Sequence, residues 1–246
     1  MPWKIGLIGT GNVASFWTKN LNGFDGIKLY IQGSSAEKTL KFSTFHGVTP
    51  LNSKEVDFYL ICVQDANIDS VISSLPEQVP IFICAGLFSI KEFAERRIGI
   101  IYPLQTIQSD ALPSFNSVPF LCEFSPNSRE IGLKFLNELE LEISEVSEQN
   151  RFSAHLAAVF INNFGYYLMK NGLRLAMEYH ISPELFKPLI NNTISNLLIN
   201  KDLQTGPARR NDHITLRKHE SMLTEQFLDI YKALTAFIQN SYRNEL

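Results

Sequence analysis

Residues 4–14 read Lys4-Ile5-Gly6-Leu7-Ile8-Gly9-Thr10-Gly11-Asn12-Val13-Ala14. A short apolar run passes directly into a GxGxxA turn and then into a helical pattern from Asn12 to Leu21, and the glycine spacing carries meaning in that context of strand, turn and helix. Gly9 permits the tight turn. Gly11 leaves no side chain where a pyrophosphate must approach the backbone, and Ala14 lets helix and strand pack closely. Backbone N–H groups from Gly9, Thr10, Gly11, Asn12 and Val13, aided by the helix dipole, are therefore expected to hold a dinucleotide.

Outward from this stretch the same rhythm repeats. Apolar runs at 27–31, 58–63, 81–84, 98–102 and 118–123 alternate with amphipathic segments, of which 128–138 reads as a helix, and the alternation predicts βαβ units on a mostly parallel sheet. Near-continuous apolar strands imply burial on both faces. After residue 149 no such run recurs, and apolar residues return every third or fourth position. One long helix is expected over 151–179, Ser182-Pro183-Glu184 is expected to cap and open the next, and Phe227, Tyr231, Leu234 and Ile238 form an apolar stripe suited to core or subunit interface. The expected fold is thus α/β: a doubly wound, mostly parallel Rossmann sheet over 1–148, then an all-helical domain over 149–246.

Composition narrows the function. The chain has 246 residues and a net charge of -3, and a protein of this size removes about 73% of its unfolded surface from water on folding, so its core needs no staples. No long surface concentrates Lys and Arg, which argues against a nucleic-acid partner. Cys62, Cys84 and Cys122 lack metal-ligand spacing and read as reduced core residues, and no metal is expected. Nothing resembles a signal peptide or membrane span, so the protein is expected to be cytoplasmic and soluble, with no membrane partner.

At the sheet's carboxyl edge the second strand ends Ile31-Gln32-Gly33-Ser34-Ser35. An acid there would favour NAD; instead Ser34, Ser35 and Lys38 suit a 2'-phosphate, which points to NADP, although the same residues would serve as a turn and a helix cap. Val63 and Gln64 end another strand beside the expected cofactor, with Asp65 placed to cap the helix that follows. Ala85 and Gly86 end a further one, where small residues would let a nicotinamide lie against backbone.

On the long helix His155, Asn162, Tyr166 and Lys170 fall within an arc of ~80° at ~100° per residue, with Leu156, Phe160, Phe164 and Leu168 turned toward apolar packing. The amides of Asn162 and Asn163, amid aromatic neighbours, are costly to bury without partners, so they are expected to bond something specific. A second constellation, Gln204-Thr205-Gly206-Pro207-Ala208-Arg209-Arg210-Asn211-Asp212, is a turn leading to a helix cap, with His219 seven residues beyond Asp212. Asp212 has the choice of capping or pairing with Arg209.

Taken together, GTGNVA at 9–14, YPLQT at 102–106, HLAAVFINNF at 155–164 and QTGPARRND at 204–212 resemble a group assigned by analogy as NADP-dependent oxidoreductases, with an N-terminal Rossmann domain and a C-terminal helical domain of unknown function. The architecture is similar to pyrroline-carboxylate reductase, ketopantoate reductase and 6-phosphogluconate dehydrogenase. The resemblance implies hydride transfer between NADP and a small carbonyl, hydroxy-acid or imine substrate, in a cleft of His155, Asn162, Asn163 and the 206–212 loop, with Gln105 and Thr106 from the first domain. In this reading Asn162 orients substrate, Arg209 pairs with a substrate carboxylate, and His155 or His219 handles the proton. It further implies a homodimer, and related reductases allow a deazaflavin coenzyme. One departure stands out: a His-Thr-Ser-Gly-like string usual before one strand turn is here Ile83-Cys84-Ala85-Gly86, which also keeps open a non-catalytic NADP-binding sensor or scaffold.

Overall fold

The computed structural model describes residues 3–52, 55–93, 95–199 and 202–243. Its strands are β1 (Trp3–Ile8), β2 (Ile27–Gln32), β3 (Thr49–Pro50), β4 (Phe58–Ile61), β5 (Ile81–Ile83), β6 (Ile98–Pro103), β7 (Phe120–Phe124) and β8 (Ile143–Glu145). They form one sheet in the order β3-β2-β1-β4-β5-β6-β7-β8. The chain winds outward from β1 to β3, returns to β4 on the other side of β1, and winds outward again. β1 and β4 therefore flank the switch point where α/β sheets bind ligands.

Period-two alternation divides the apolar residues between two cores. Ile5, Leu7, Phe58, Leu60, Phe82 and Ile101 belong to one cluster, whereas Ile8, Tyr59, Ile61, Ile83, Ile98 and Ile100 belong to the other. A strand whose successive residues must face opposite cores has no polar face, which is why these segments read as unbroken apolar runs. Helices α1 (Asn12–Leu21) and α4 (Arg129–Glu138) contribute Phe16, Trp17, Phe135 and Leu136 to the first core. Helix α3 (Ile68–Ser74) gives Ile68 and Ile72 to the second. Helix α2 (Ala36–His46) follows β2 and ends at Gly47 in the left-handed region, φ +66°.

Two short edge strands escape the sequence pattern, β3 because two residues display no period and β8 because its Ser144 and Glu145 are exposed at the sheet edge and break any apolar run. The other large difference is β7, which runs antiparallel to β6. An antiparallel neighbour needs no crossover, so the 104–119 connection stays at the carboxyl edge, where β6 ends and β7 starts. Asp65 does not cap a helix: it opens a 3-10 turn, Asp65–Asn67, and neither that turn nor α3 has a side-chain cap.

The expected long helix is present in three consecutive parts: α5 (Glu148–Ala158), a π-helical stretch Val159–Phe164, and α6 (Gly165–Glu178). The chain divides into compact units of residues 1–169 and 170–246. The first unit takes in α5 and the π stretch along with the sheet. The second contains α7 (Lys187–Leu198), α8 (His213–Glu220) and α9 (Glu225–Ser241), and among its described residues only Ala176, Ala208 and Leu216 are buried. Ser182 occupies a cap position ahead of the 3-10 turn Pro183–Phe186 but makes no capping bond through its side chain. Leu156, Phe160, Phe164 and Leu168, expected to pack, are exposed, and α9 buries none of its stripe.

The first core is densely aromatic: Phe120 meets Phe16, Trp17 and Phe115 at ring-centroid distances of 6.3, 5.5 and 6.0 Å. Phe120→Ala should lower unfolding free energy by about 3–5 kcal/mol through the cavity it leaves, as read from the urea midpoint at unchanged slope.

Candidate functional site

The turn between β1 and α1 has the geometry its glycines anticipate. Gly9 adopts φ +123°, and a Cβ there would lie 2.2 Å from the Cys62 carbonyl oxygen, so both conformation and close approach exclude a side chain. Its N–H bonds to the Gln32 carbonyl at 2.8 Å. Gly11 is the N-cap of α1 with no side-chain capping bond, and a Cβ on it would project into open space. The result is a helix N-terminus whose first-turn N–H groups are not capped by a side chain, fronted by a glycine that leaves the approach clear, which suits an anionic phosphate.

Asn12 has a second job. Its amide donates to the Ile107 carbonyl at 3.1 Å, while Lys19 and Asn20 donate to the carbonyls of Leu112 and Pro113 at 2.9 and 3.0 Å. Helix α1 thus straps the 104–119 loop beside the glycine turn, fixing Gln105, whose own side chain accepts from the Thr106 N–H.

After β2, Gly33 is required by packing: a Cβ would sit 2.9 Å from Thr10 Cγ2 and 3.2 Å from the Thr39 nitrogen. Ser35 caps α2, accepting from the Lys38 N–H at 3.2 Å, and Thr39 Oγ1 accepts from the Gly33 N–H at 2.9 Å. The capping use of Ser35 foreseen as an alternative is therefore real, though its hydroxyl keeps a proton to donate; Ser34 and the Lys38 ammonium are exposed at the same corner. Thr39 was not legible as part of it.

Val63, Gln64, Ala85 and Gly86 follow β4 and β5 at the carboxyl edge. Cys84 Sγ accepts from the Trp17 indole N–H at 3.2 Å, and all three cysteines are free thiols. Burial pushes the Cys62 thiol well up, reinforced by its hydrogen bond with Cys84. Burial also raises Cys122, to about 12. Both are held in the unreactive protonated form.

Against this edge lies α5, held by three groups at successive turns. Glu148 pairs with Lys91 at 2.8 Å, which holds its carboxyl below the usual range. Arg151 is fully buried: Nη1 donates to the Gly86 carbonyl at 2.6 Å, and Nη2 to the Phe88 carbonyl and Glu123 Oε2, each at 2.8 Å. His155, one turn on, meets the Tyr102 hydroxyl through Nδ1 at 3.0 Å. Gly86 lies so close against the pair that a Cβ would stand 2.6 Å from His155 Nδ1 and 3.1 Å from Tyr102 Cζ. The backbone approach anticipated at Gly86 is thus made by this pair. Neither Arg151 nor Tyr102 stood out as a site residue in the sequence, although YPLQT contains the tyrosine and the arginine lies four residues before His155.

A cavity of about 750 Å³ opens beside the pair, lined by Tyr102, Leu104, Gln105, Thr106 and Gln108 and by α5 and π-helix residues that include His155, Asn162, Asn163 and Tyr166. The structure brings these predicted polar residues together. It does not bury the amides: Asn162 and Asn163 are exposed, so a burial cost is not what marks them. Their placement depends on the π stretch, whose i→i+5 bonding turns the residues after it relative to those before. Lys170, also expected on this face, falls in the second unit.

Within the second unit the remaining candidates are locally committed. Arg209 donates to the Gln204 carbonyl at 2.5 Å, pairs with Asp202 at 3.5 Å and lies 4.3 Å over the Tyr242 ring. Asp212 caps α8 through the Thr215 N–H and hydroxyl at 3.1 and 2.7 Å, the first of its two anticipated options. His219 Nδ1 meets the Tyr231 hydroxyl at 2.9 Å.

Residues 118–238 match the family model for a domain of unknown function, DUF2520. Comparison with curated proteins gives no match. Among solved structures, the chain is similar to BF3122 of Bacteroides fragilis, provisionally assigned as an NADP oxidoreductase, at 23% identity and TM-score 0.81, covering 97% of this chain and 98% of that one. It is similar to 1-pyrroline-5-carboxylate reductase of Streptococcus pyogenes at 17% identity and TM-score 0.64, covering 98% and 99%. It is also similar to a reductive aminase of Aspergillus terreus, solved with NADPH and ethyl levulinate, at 12% identity and TM-score 0.74, covering 99% and 95%. The resemblance drawn from the motifs stands, and so does the fold: a Rossmann-like sheet with a helical C-terminal region. Among the described residues no helix is long and apolar enough to cross a membrane.

Arg151→Ala would strand two carbonyls and leave the Glu123 carboxylate, 18% exposed, without its cation. A loss of about 3 kcal/mol is expected, measurable by chemical denaturation, with Glu123→Gln costing a comparable amount because it leaves the fully buried guanidinium with neutral acceptors alone.

Proposed function

We propose that the chain is an NADP-dependent oxidoreductase acting on a small carbonyl, hydroxy-acid or imine compound. The observation that carries this reading is the uncapped α1 N-terminus behind Gly11, at the sheet's switch point, in the same unit as a cavity that presents a tyrosine and histidine pair. Likeness to BF3122 and to the NADPH-bound reductive aminase supports it by fold.

In this reading the backbone from Gly9 to Val13 holds the pyrophosphate. Ser34, Ser35 and Lys38 bond the 2'-phosphate, Val63 and Gln64 line the approach to the adenosine half, and Ala85, Gly86 and Gln105 border the nicotinamide. When bound, NADP supplies or accepts a hydride. Asn162 and Asn163 orient the substrate by their amides, and His155 holds a proton next to it. Arg209, Asp212 and His219 serve the second unit's own architecture. The sensor alternative rested on the polar string missing before Gly86; Tyr102 and His155 supply polar, titratable groups at that position.

Assembly as a homodimer belongs to the same proposal. The second unit buries little of its own apolar surface, while Leu198 is 82% and Phe237 73% exposed, and patches of this kind on helices mark association. Sedimentation should give twice the chain mass at micromolar concentration, and a monomer there would remove this part.

Calorimetric titration of cofactor-free protein tests the function. NADPH should bind at least about tenfold tighter than NADH, and Gly11→Asp, which sets a carboxylate against the phosphates, should weaken NADPH by about 100-fold. Folded protein that binds neither nucleotide would end the oxidoreductase reading.

A further inference from the structure

We infer that the cavity of the first unit selects an uncharged carbonyl compound and that Tyr102, with His155 behind it, gives the carbonyl oxygen its proton. This rests on the oxidoreductase reading and narrows its substrate class.

Among the described residues, the cavity's lining contains no Lys, Arg, Asp or Glu. A carboxylate entering it would give up hydration with no cation to replace it. The basic residue on the same helix, Arg151, is buried and divided among two carbonyls and Glu123. A ketone or aldehyde gives up far less, and the amides of Gln105, Asn162 and Asn163 can return its hydrogen bonds. Ala154, Ala157 and Ala158 keep the helical wall low, and Leu104, Val159 and Ile161 make much of the remainder apolar, which suits a neutral organic body with a single polar group.

The proton source follows from the same geometry. Tyr102 and His155 are in direct contact, Oη to Nδ1 3.0 Å and ring centroids 5.8 Å apart, and both border the cavity. Burial raises the Tyr102 phenol, so it is protonated at neutral pH and available as a donor. In the reduction the carbonyl carbon gains a hydride, supplied by NADPH, which becomes NADP⁺, and the carbonyl π pair moves onto oxygen. That oxygen takes the Tyr102 hydroxyl proton as the phenolic O–H bond breaks. The phenolate then takes the Nδ1 proton of the His155 ring as Nε2 takes one from water, so the ring relays a proton and its own charge is unchanged. The product is the alcohol.

The test uses the full chain saturated with NADPH and two probes of one skeleton, acetophenone and 4-acetylbenzoate. Ligand-observed NMR should give acetophenone at least about tenfold tighter binding than the benzoate, and Gln108→Arg, which sets a cation in the lining, should reverse the order. Equal affinities, tighter binding of the benzoate to the unmodified chain, or no binding of either probe would overturn the substrate class. Tyr102→Phe should keep acetophenone affinity within about threefold while NADPH oxidation with it falls by about 100-fold or more, and His155→Gln should fall similarly. An unchanged rate in Tyr102→Phe, or no oxidation by the unmodified chain with acetophenone bound, would overturn the proton assignment. Failure of NADPH to bind at all appears first in the nucleotide titration and is charged to the functional reading, whereas the preference between the two probes is read on protein that has already bound NADPH and is charged to the substrate class alone.

Discussion

The first unit depends on one buried cation. Arg151 reaches from α5 to the Gly86 and Phe88 carbonyls after β5 and to Glu123 on β7, joining a helix to a loop and to an antiparallel strand that approach from different parts of the chain. A guanidinium can do this because its donors are fixed in a plane and point several ways at once. Burial without these partners would cost several kcal/mol, so the arrangement is close to all-or-none. Since Gly86 is both an Arg151 acceptor and the surface on which His155 rests, the clamp that docks the helix also sets the distance from His155 to Tyr102.

That dependence explains why the site was only partly legible in the sequence. The glycine turn is local: strand, GxGxxA and helix lie within twenty residues, and each glycine's reason can be stated from its neighbours. The central strands are legible too, because burial on both faces erases their polar positions. Arg151 is different. Its meaning lies in two main-chain carbonyls and one carboxylate that no spacing links to it, so in the sequence it is only the first charged residue of a helix. The π stretch is equally hidden, since Val159 to Phe164 reads as ordinary helix and the departure lies in hydrogen-bond register. Arithmetic at a constant helical turn placed His155 and Asn162 on one face; the structure sets both on the cavity, but through a π turn.

The antiparallel β7 is what gives the carboxyl edge its shape. A parallel sixth connection would have carried the chain away over one face of the sheet and returned it at the far end. Here the chain leaves β6 at Pro103 and re-enters at Phe120, and the whole connection remains at the edge, where Asn12, Lys19 and Asn20 of α1 hold its carbonyls. The helix that opens on the glycine turn thereby also fixes the loop bearing Gln105 and Thr106. The glycine turn and the loop that lines the cavity are thus tied to the same ten-residue helix.

The second unit obeys a different balance. Its internal ties are polar contacts and rings under cations: Tyr179 to the Met222 carbonyl, His219 to Tyr231, Gln239 to Asn211, Arg174 over Phe227. Such contacts fix register more than they stabilise, and an apolar stripe at helical spacing in which Phe227, Tyr231 and Ile238 stay half-buried and Leu234 exposed gains only part of the burial that drives helix packing. The stripe read in the sequence as core or interface does not form a buried core in the single chain.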